Sequence, residues 1–92
     1  MNRIRAVHDA VLFGPGELEP PIRLACAKGA GIPADLATYA EKVRKRACSV
    51  THADVEALRA SGYSDEQIFE ATVCVAVGAG LYQLDQALAA LG

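Results

Sequence analysis

From Ile68 to Leu91 the chain contains no proline and no other residue strong enough to end a helix. Gly78 and Gly80 weaken this stretch, each by about 1 kcal/mol relative to alanine, without breaking it. So long a segment reads as one continuous helix. Val73, Val75, Ala76 and Val77 make it apolar all round, the pattern of a buried helix, so it is expected to be the central element of the fold. Glycine has no Cβ, and both Gly78 and Gly80 are therefore expected to let a second backbone approach closely. The uncharged run from Ala71 to Gln83 falls short of the roughly 18–20 residues that cross a bilayer, so the segment reads as a core helix and not as a membrane anchor.

The residues before it are punctuated as helices. Ser64 with Gln67 forms a capping box, Tyr63 and Ile68 stand at the positions of a hydrophobic staple, and Asp65 and Glu66 suit the positive end of a helix starting at Asp65. Thr51 with Asp54 repeats the device, with Val50 and Val55 as the staple; that helix should start at His52 and run through Leu58 to Gly62. Pro33 can open a helix through Leu36, Tyr39, Ala40, Val43 and Ala47, and Pro20-Pro21 a short one that Gly29 stops. Ile4, Val7 and Val11 recur at helical spacing until Gly14-Pro15-Gly16 breaks the pattern, which predicts a first helix ending near Phe13. No strand period and no internal repeat is present. The expectation is an all-α single domain over residues 1–92, a compact bundle of about five helices around a central apolar last helix.

Ninety-two residues suffice for one domain, and a chain this short buries a smaller share of its surface than a longer one. Yet 52% of the residues are hydrophobic and 22% charged. The apolar surplus is best placed in a subunit interface, so a homo-oligomer is expected, with contacts through the last helix and the first. A net charge of -2 gives no general attraction for phosphate backbones, and nucleic acid is not an expected partner. Arg3, Arg5, His8 and Asp9 interrupt the apolar run that a signal peptide needs, and Cys26, Cys48 and Cys74 form neither a disulfide framework nor a CxxC pattern. Both features point to a reducing, cytoplasmic setting. His8 has no second metal-binding residue at a matching spacing, and no metal or cofactor is expected.

Chemistry concentrates in Cys48-Ser49-Val50-Thr51-His52, whose cysteine and histidine are the candidate catalytic residues. On a continuous helix they would face each other, imidazole could take the thiol proton, and Arg44, Lys45 and Arg46 would stabilise a thiolate. On the other reading Cys48 packs as a small hydrophobe and His52 is an exposed first-turn residue. Thr51 as N-cap bears on the choice, because it would place Cys48 at the end of one helix and His52 at the start of the next. Cys74 and Cys26 read as core residues. Lys42-Val43-Arg44-Lys45-Arg46 either holds an anion or forms a solvated helix face. Tyr39 and Tyr82 either line a pocket between helices or serve as core and interface residues.

The run from Ala57 to Glu70, with the apolar helix that follows to Leu88, resembles the portion of alkylhydroperoxidase D-like and carboxymuconolactone decarboxylase-like proteins that follows their active-site motif. Leu12-Phe13-Gly14-Pro15-Gly16-Glu17-Leu18 is similar to the segment that leads into their catalytic helix. The resemblance implies an alkylhydroperoxidase D-like helical core, an antioxidant oxidoreductase ancestry, and a thiol or small molecule as partner. Members that act as thiol peroxidases carry CxxCxxxH with an upstream acid. Cys48 matches the second cysteine and His52 the histidine, whereas Lys45 stands at the first cysteine. Pro33 stands where the acid would be, with Asp35 and Glu41 the nearest carboxylates. The site is therefore incomplete, which implies a weak or inactive thiol peroxidase; the alternative is an active thiol-dependent oxidoreductase using Cys48 and His52. No constellation in the chain fits the lactone chemistry of the decarboxylase branch.

Overall fold

The computed structural model describes residues 14–91, which form four α-helices and one 3-10 turn and contain no strand. The helices are α1 (Pro20–Lys28), α2 (Ala34–Arg46), α3 (His52–Ala60) and α4 (Asp65–Leu91), and the turn is Ala47–Ser49. The all-α expectation holds. The helix predicted to end near Phe13, and with it His8, lies outside the described residues.

Local chemistry accounts for each boundary. Prolines occupy the first positions of α1, where a missing N–H costs nothing, and Gly29 closes it at a φ of 76°, its N–H returning to the Ala25 carbonyl. The next carbonyls of α1, on Cys26 and Ala27, accept hydrogen bonds from the Arg44 Nη2 of α2 at 2.9 and 3.0 Å. Before α3, Thr51 Oγ1 accepts the Asp54 N–H at 3.3 Å while Asp54 Oδ2 accepts the Thr51 N–H at 2.8 Å. Before α4, Ser64 Oγ accepts the Gln67 N–H at 3.1 Å and Gln67 Oε1 accepts the Ser64 N–H at 2.9 Å. Both predicted capping boxes are thus formed, and both helices start where predicted.

The first half of α4 is the axis on which the other helices are mounted. Ile68, Ala71, Cys74 and Val75 are buried on its inner face against Cys26 of α1, Leu36 and Val43 of α2, and Leu58 of α3. Glu70 fixes the entry to α1: its carboxylate accepts the N–H groups of Glu17 and Leu18, each at 2.9 Å. At the other end of α1, Gly78 lies against the Ala27 backbone, where a Cβ would fall 2.7 Å from the Ala27 Cα and carbonyl carbon. The two helices therefore run side by side in the same direction. Tyr39 ties α2 to this axis through a 2.7 Å hydrogen bond between its hydroxyl and Thr72 Oγ1.

Two expectations for α4 need correction. Burial ends at Leu81; no side chain from Tyr82 to Ala90 is buried, and Phe69 and Tyr82 are 65% and 63% exposed. The helix outruns the body it packs against. Among the described residues Gly80 meets nothing within 4 Å, so of the two it is Gly78 that packs against α1. Residues two apart on a helix point about 200° away from each other, which puts Gly80 on the side opposite the seam. The length estimate also changes: Asp65–Ala90 is one unbroken helix containing an 18-residue stretch of mean hydropathy 1.3, long and apolar enough to cross a membrane by length and composition alone. Packing of its inner face into the core accounts for part of that apolar character, 22% of the apolar stretch being buried.

Candidate functional site

The segment carrying Cys48 and His52 is a junction and not a helix. Helix α2 stops at Arg46, whose φ of -150° and ψ of 71° leave helical geometry, and Ala47–Ser49 makes a single 3-10 turn. Ser49 Oγ donates to the Arg46 carbonyl at 2.7 Å and the Val50 N–H to the Ala47 carbonyl at 3.2 Å, which closes that turn. Val50 and Thr51 are extended, and His52 is the first residue of α3. The continuous helix that would have set Cys48 opposite His52 is therefore absent.

The capping box holds this break in place. Asp54 accepts from Thr51 and also from Lys42 Nζ of α2, at 2.8 and 3.0 Å, so one carboxylate clamps the end of α2 to the start of α3. The Lys42 ammonium, followed by the Thr51 N–H, holds the Asp54 carboxyl below the usual carboxylate range.

Cys48 is exposed, and His52 has 83% of its side chain exposed with Nε2 3.3 Å from Glu56 Oε1 of the next turn. No hydrogen bond joins the two among the described residues. Two of the three basic residues expected to stabilise a thiolate are engaged elsewhere: Arg44 caps α1, and Lys45 pairs with Glu41 at 2.8 Å. The nearest carboxylates are likewise occupied. Asp35 accepts the Tyr63 hydroxyl at 2.7 Å, and burial together with that carboxylate pushes the phenol up to about 12. Glu41, hydrogen-bonded by Lys45, is held below the usual range.

The remaining thiols are sealed in the core. Cys26 and Cys74 are 0% exposed and, like Cys48, not in a disulfide. Burial first, and then the neighbouring Cys74, pushes the Cys26 thiol up to about 11; burial also raises Cys74. Chemically the junction offers one accessible thiol with no base hydrogen-bonded to it and no second thiol beside it. Such a thiol can be alkylated or oxidised but has no partner in the chain to complete a dithiol cycle.

Tyr39 is buried and borders a cavity of about 100 Å³ with Lys42, Asp54 and Leu58, whereas Tyr82 stands exposed on the far half of α4, so the two do not line one pocket. No group of three His, Cys, Asp or Glu side chains is arranged to hold a metal among the described residues. Sequence reasoning missed Glu70, which receives two backbone N–H groups across the fold, and the capping role of Arg44. Spacing along the chain carries no signal for either, since both bridge segments distant in sequence. Compared with known family models, curated proteins and solved structures, the chain matches none.

Proposed function

We propose that this protein is a small helical module of alkylhydroperoxidase D-like descent that does not run a thiol-peroxidase cycle and serves as a self-associating binding domain of the cytoplasm. The observation that supports this reading is the helix boundary at Thr51, which separates Cys48 from His52 and leaves each exposed. A peroxidase cycle requires the thiolate to attack the peroxide, breaking the O–O bond to give a sulfenic acid and an alcohol, and a second thiol to reduce that sulfenic acid. Lys45 occupies the family position of the partner cysteine, and Cys26 and Cys74 are shut in the core. Purified protein supplied with a hydroperoxide and a dithiol is expected to show no turnover above a Cys48→Ser control. Turnover that disappears in Cys48→Ser overturns the proposal.

The exposure of Cys48 favours one second reading, a thiol-dependent oxidoreductase in which an external thiol resolves the sulfenic acid and His52 assists. The same assay decides between them. Self-association is supported by Phe69, Tyr82 and Leu88, large apolar side chains left exposed along α4. Light scattering is expected to give a mass above that of one 9.6 kDa chain, and a single-chain mass that persists as concentration rises overturns this part.

A further inference from the structure

We propose that the cleft between the Gly29–Ile32 connector and α2 binds a small organic carboxylate, with Arg44 as its anchor. The inference deepens the reading of the chain as a binding module by naming a ligand class. Its test reads binding alone, so it can fail while Cys48 remains inactive, and the peroxidase assay can fail while this site still binds.

The cleft has a volume of about 400 Å³, within the range of roughly 300–1,000 Å³ typical of small-molecule sites. Ile32, Ala37 and Ala40 form an apolar wall, and Glu41, Arg44 and Lys45 supply the charges. Arg44 is pre-positioned. Its Nη2 is bound to the Cys26 and Ala27 carbonyls, and its guanidinium lies so close over Gly29 that a Cβ there would sit 2.8 Å from Cζ. Its Nε and Nη1 make no hydrogen bond among the described residues and remain available to an acceptor.

The charge balance points to the ligand. Lys42 is paired with Asp54, Lys45 with Glu41, and Arg59 with Glu56 and Asp65. Arg44 is half-buried, and among the described residues no carboxylate pairs with it. A partly desolvated cation without a counter-ion is costly, and the negative end of the α1 dipole, worth about half a charge, offsets only part of that cost. Because Glu41 is matched by Lys45, the lining is left with one positive charge in excess, which suits a monoanion. A phosphate dianion would overfill that charge beside Glu41. A carboxylate oxygen can accept from the free Nη1 or Nε in a charge-assisted hydrogen bond, and a short aliphatic body fits the wall of Ile32, Ala37 and Ala40. The N–H groups of Gly31 and Ile32, which make no hydrogen bond among the described residues, add donors at the cleft.

The test is an amide NMR titration of the full chain with butyrate at constant ionic strength, with inorganic phosphate as a parallel arm. Butyrate is expected to produce saturable shifts concentrated at residues 29–32 and 37–45, and phosphate to bind more weakly. Arg44→Gln removes the charge and is expected to weaken butyrate binding about tenfold or more, the equivalent of one charge-assisted hydrogen bond. Ala37→Leu fills the cleft without touching the guanidinium and is expected to weaken it as well; this variant decides the matter if Arg44→Gln fails to fold. Absence of saturable shifts at these residues, or an affinity unchanged in the folded variants, overturns the site. Phosphate binding as tightly as butyrate overturns the carboxylate assignment.

Discussion

The seam between α1 and α4 and the junction between α2 and α3 both carry cysteines, but opposite physics governs them. At the seam, Cys26 and Cys74 lie in the core beside the backbone contact of Gly78 with Ala27, and burial holds both thiols protonated. At the junction, Cys48 stands exposed in a 3-10 turn, set there by the capping box that follows and not by packing. One region has two thiols without access, and the other has access without a second thiol. A dithiol cycle needs both in one place.

The comparison is broken most severely by opening the seam. Gly78→Ala puts a Cβ onto the Ala27 carbonyl, so α1 must move, and a loss of about 3 kcal/mol is expected in denaturant unfolding, at the upper end of ordinary overpacking. A cost below that of an ordinary surface change would mean that the seam is looser than described. The buried thiols also give the seam a pH signature. Cys26 ionises from an ordinary value of 9.0 in the unfolded chain but only near about 11 in the folded one. The unfolded state therefore releases its proton first as pH rises. This contribution is complete below pH 9.0 and is lost as pH climbs through about 11. Cys26→Ala should flatten that alkaline decline in stability, whatever its effect at neutral pH; an unchanged slope would mean that the thiol is not shielded.

Smaller effects sharpen the contrast between packing and capping. Ser64→Ala removes the acceptor for the Gln67 N–H at the start of α4 and should cost about 1 kcal/mol, read as a lower unfolding midpoint. Gly80→Ala should do the reverse of Gly78→Ala, raising stability by about 0.5–1 kcal/mol, because the position is helical and none of the described residues lies within 4 Å. Destabilisation by Gly80→Ala would show that the outer face of α4 is covered by a neighbour.

The same contrast explains what was legible in the sequence. Caps are local: Thr51 with Asp54 and Ser64 with Gln67 each satisfy a donor three residues away, so the boundaries of α3 and α4 followed from spacing. For the candidate pair spacing set only the boundary: Thr51 as N-cap placed Cys48 outside α3 but left open whether it meets His52. The two glycines of α4 were not separable, since which of them faces α1 depends on how the helix is rotated in the assembled fold. Glu70 and Arg44 were illegible for a related reason. A carboxylate that receives the N–H groups of Glu17 and Leu18, and a guanidinium that closes the carbonyls of another helix, act across distances that no periodicity encodes.

The central claim is that Cys48 and His52 are two independent surface residues, and the rate at which Cys48 is alkylated tests it most directly. A neutral alkylating reagent is applied at pH 7 to the folded wild-type protein and to His52→Ala, with Cys48→Ser as the blank that reports any leakage from Cys26 and Cys74. The account predicts one modified thiol per chain, the same rate in wild type and His52→Ala, and no modification of Cys48→Ser. A rate that falls about tenfold in His52→Ala, the lower end of what an assisting base contributes, would show that the imidazole activates the thiol across the helix boundary and would contradict the account.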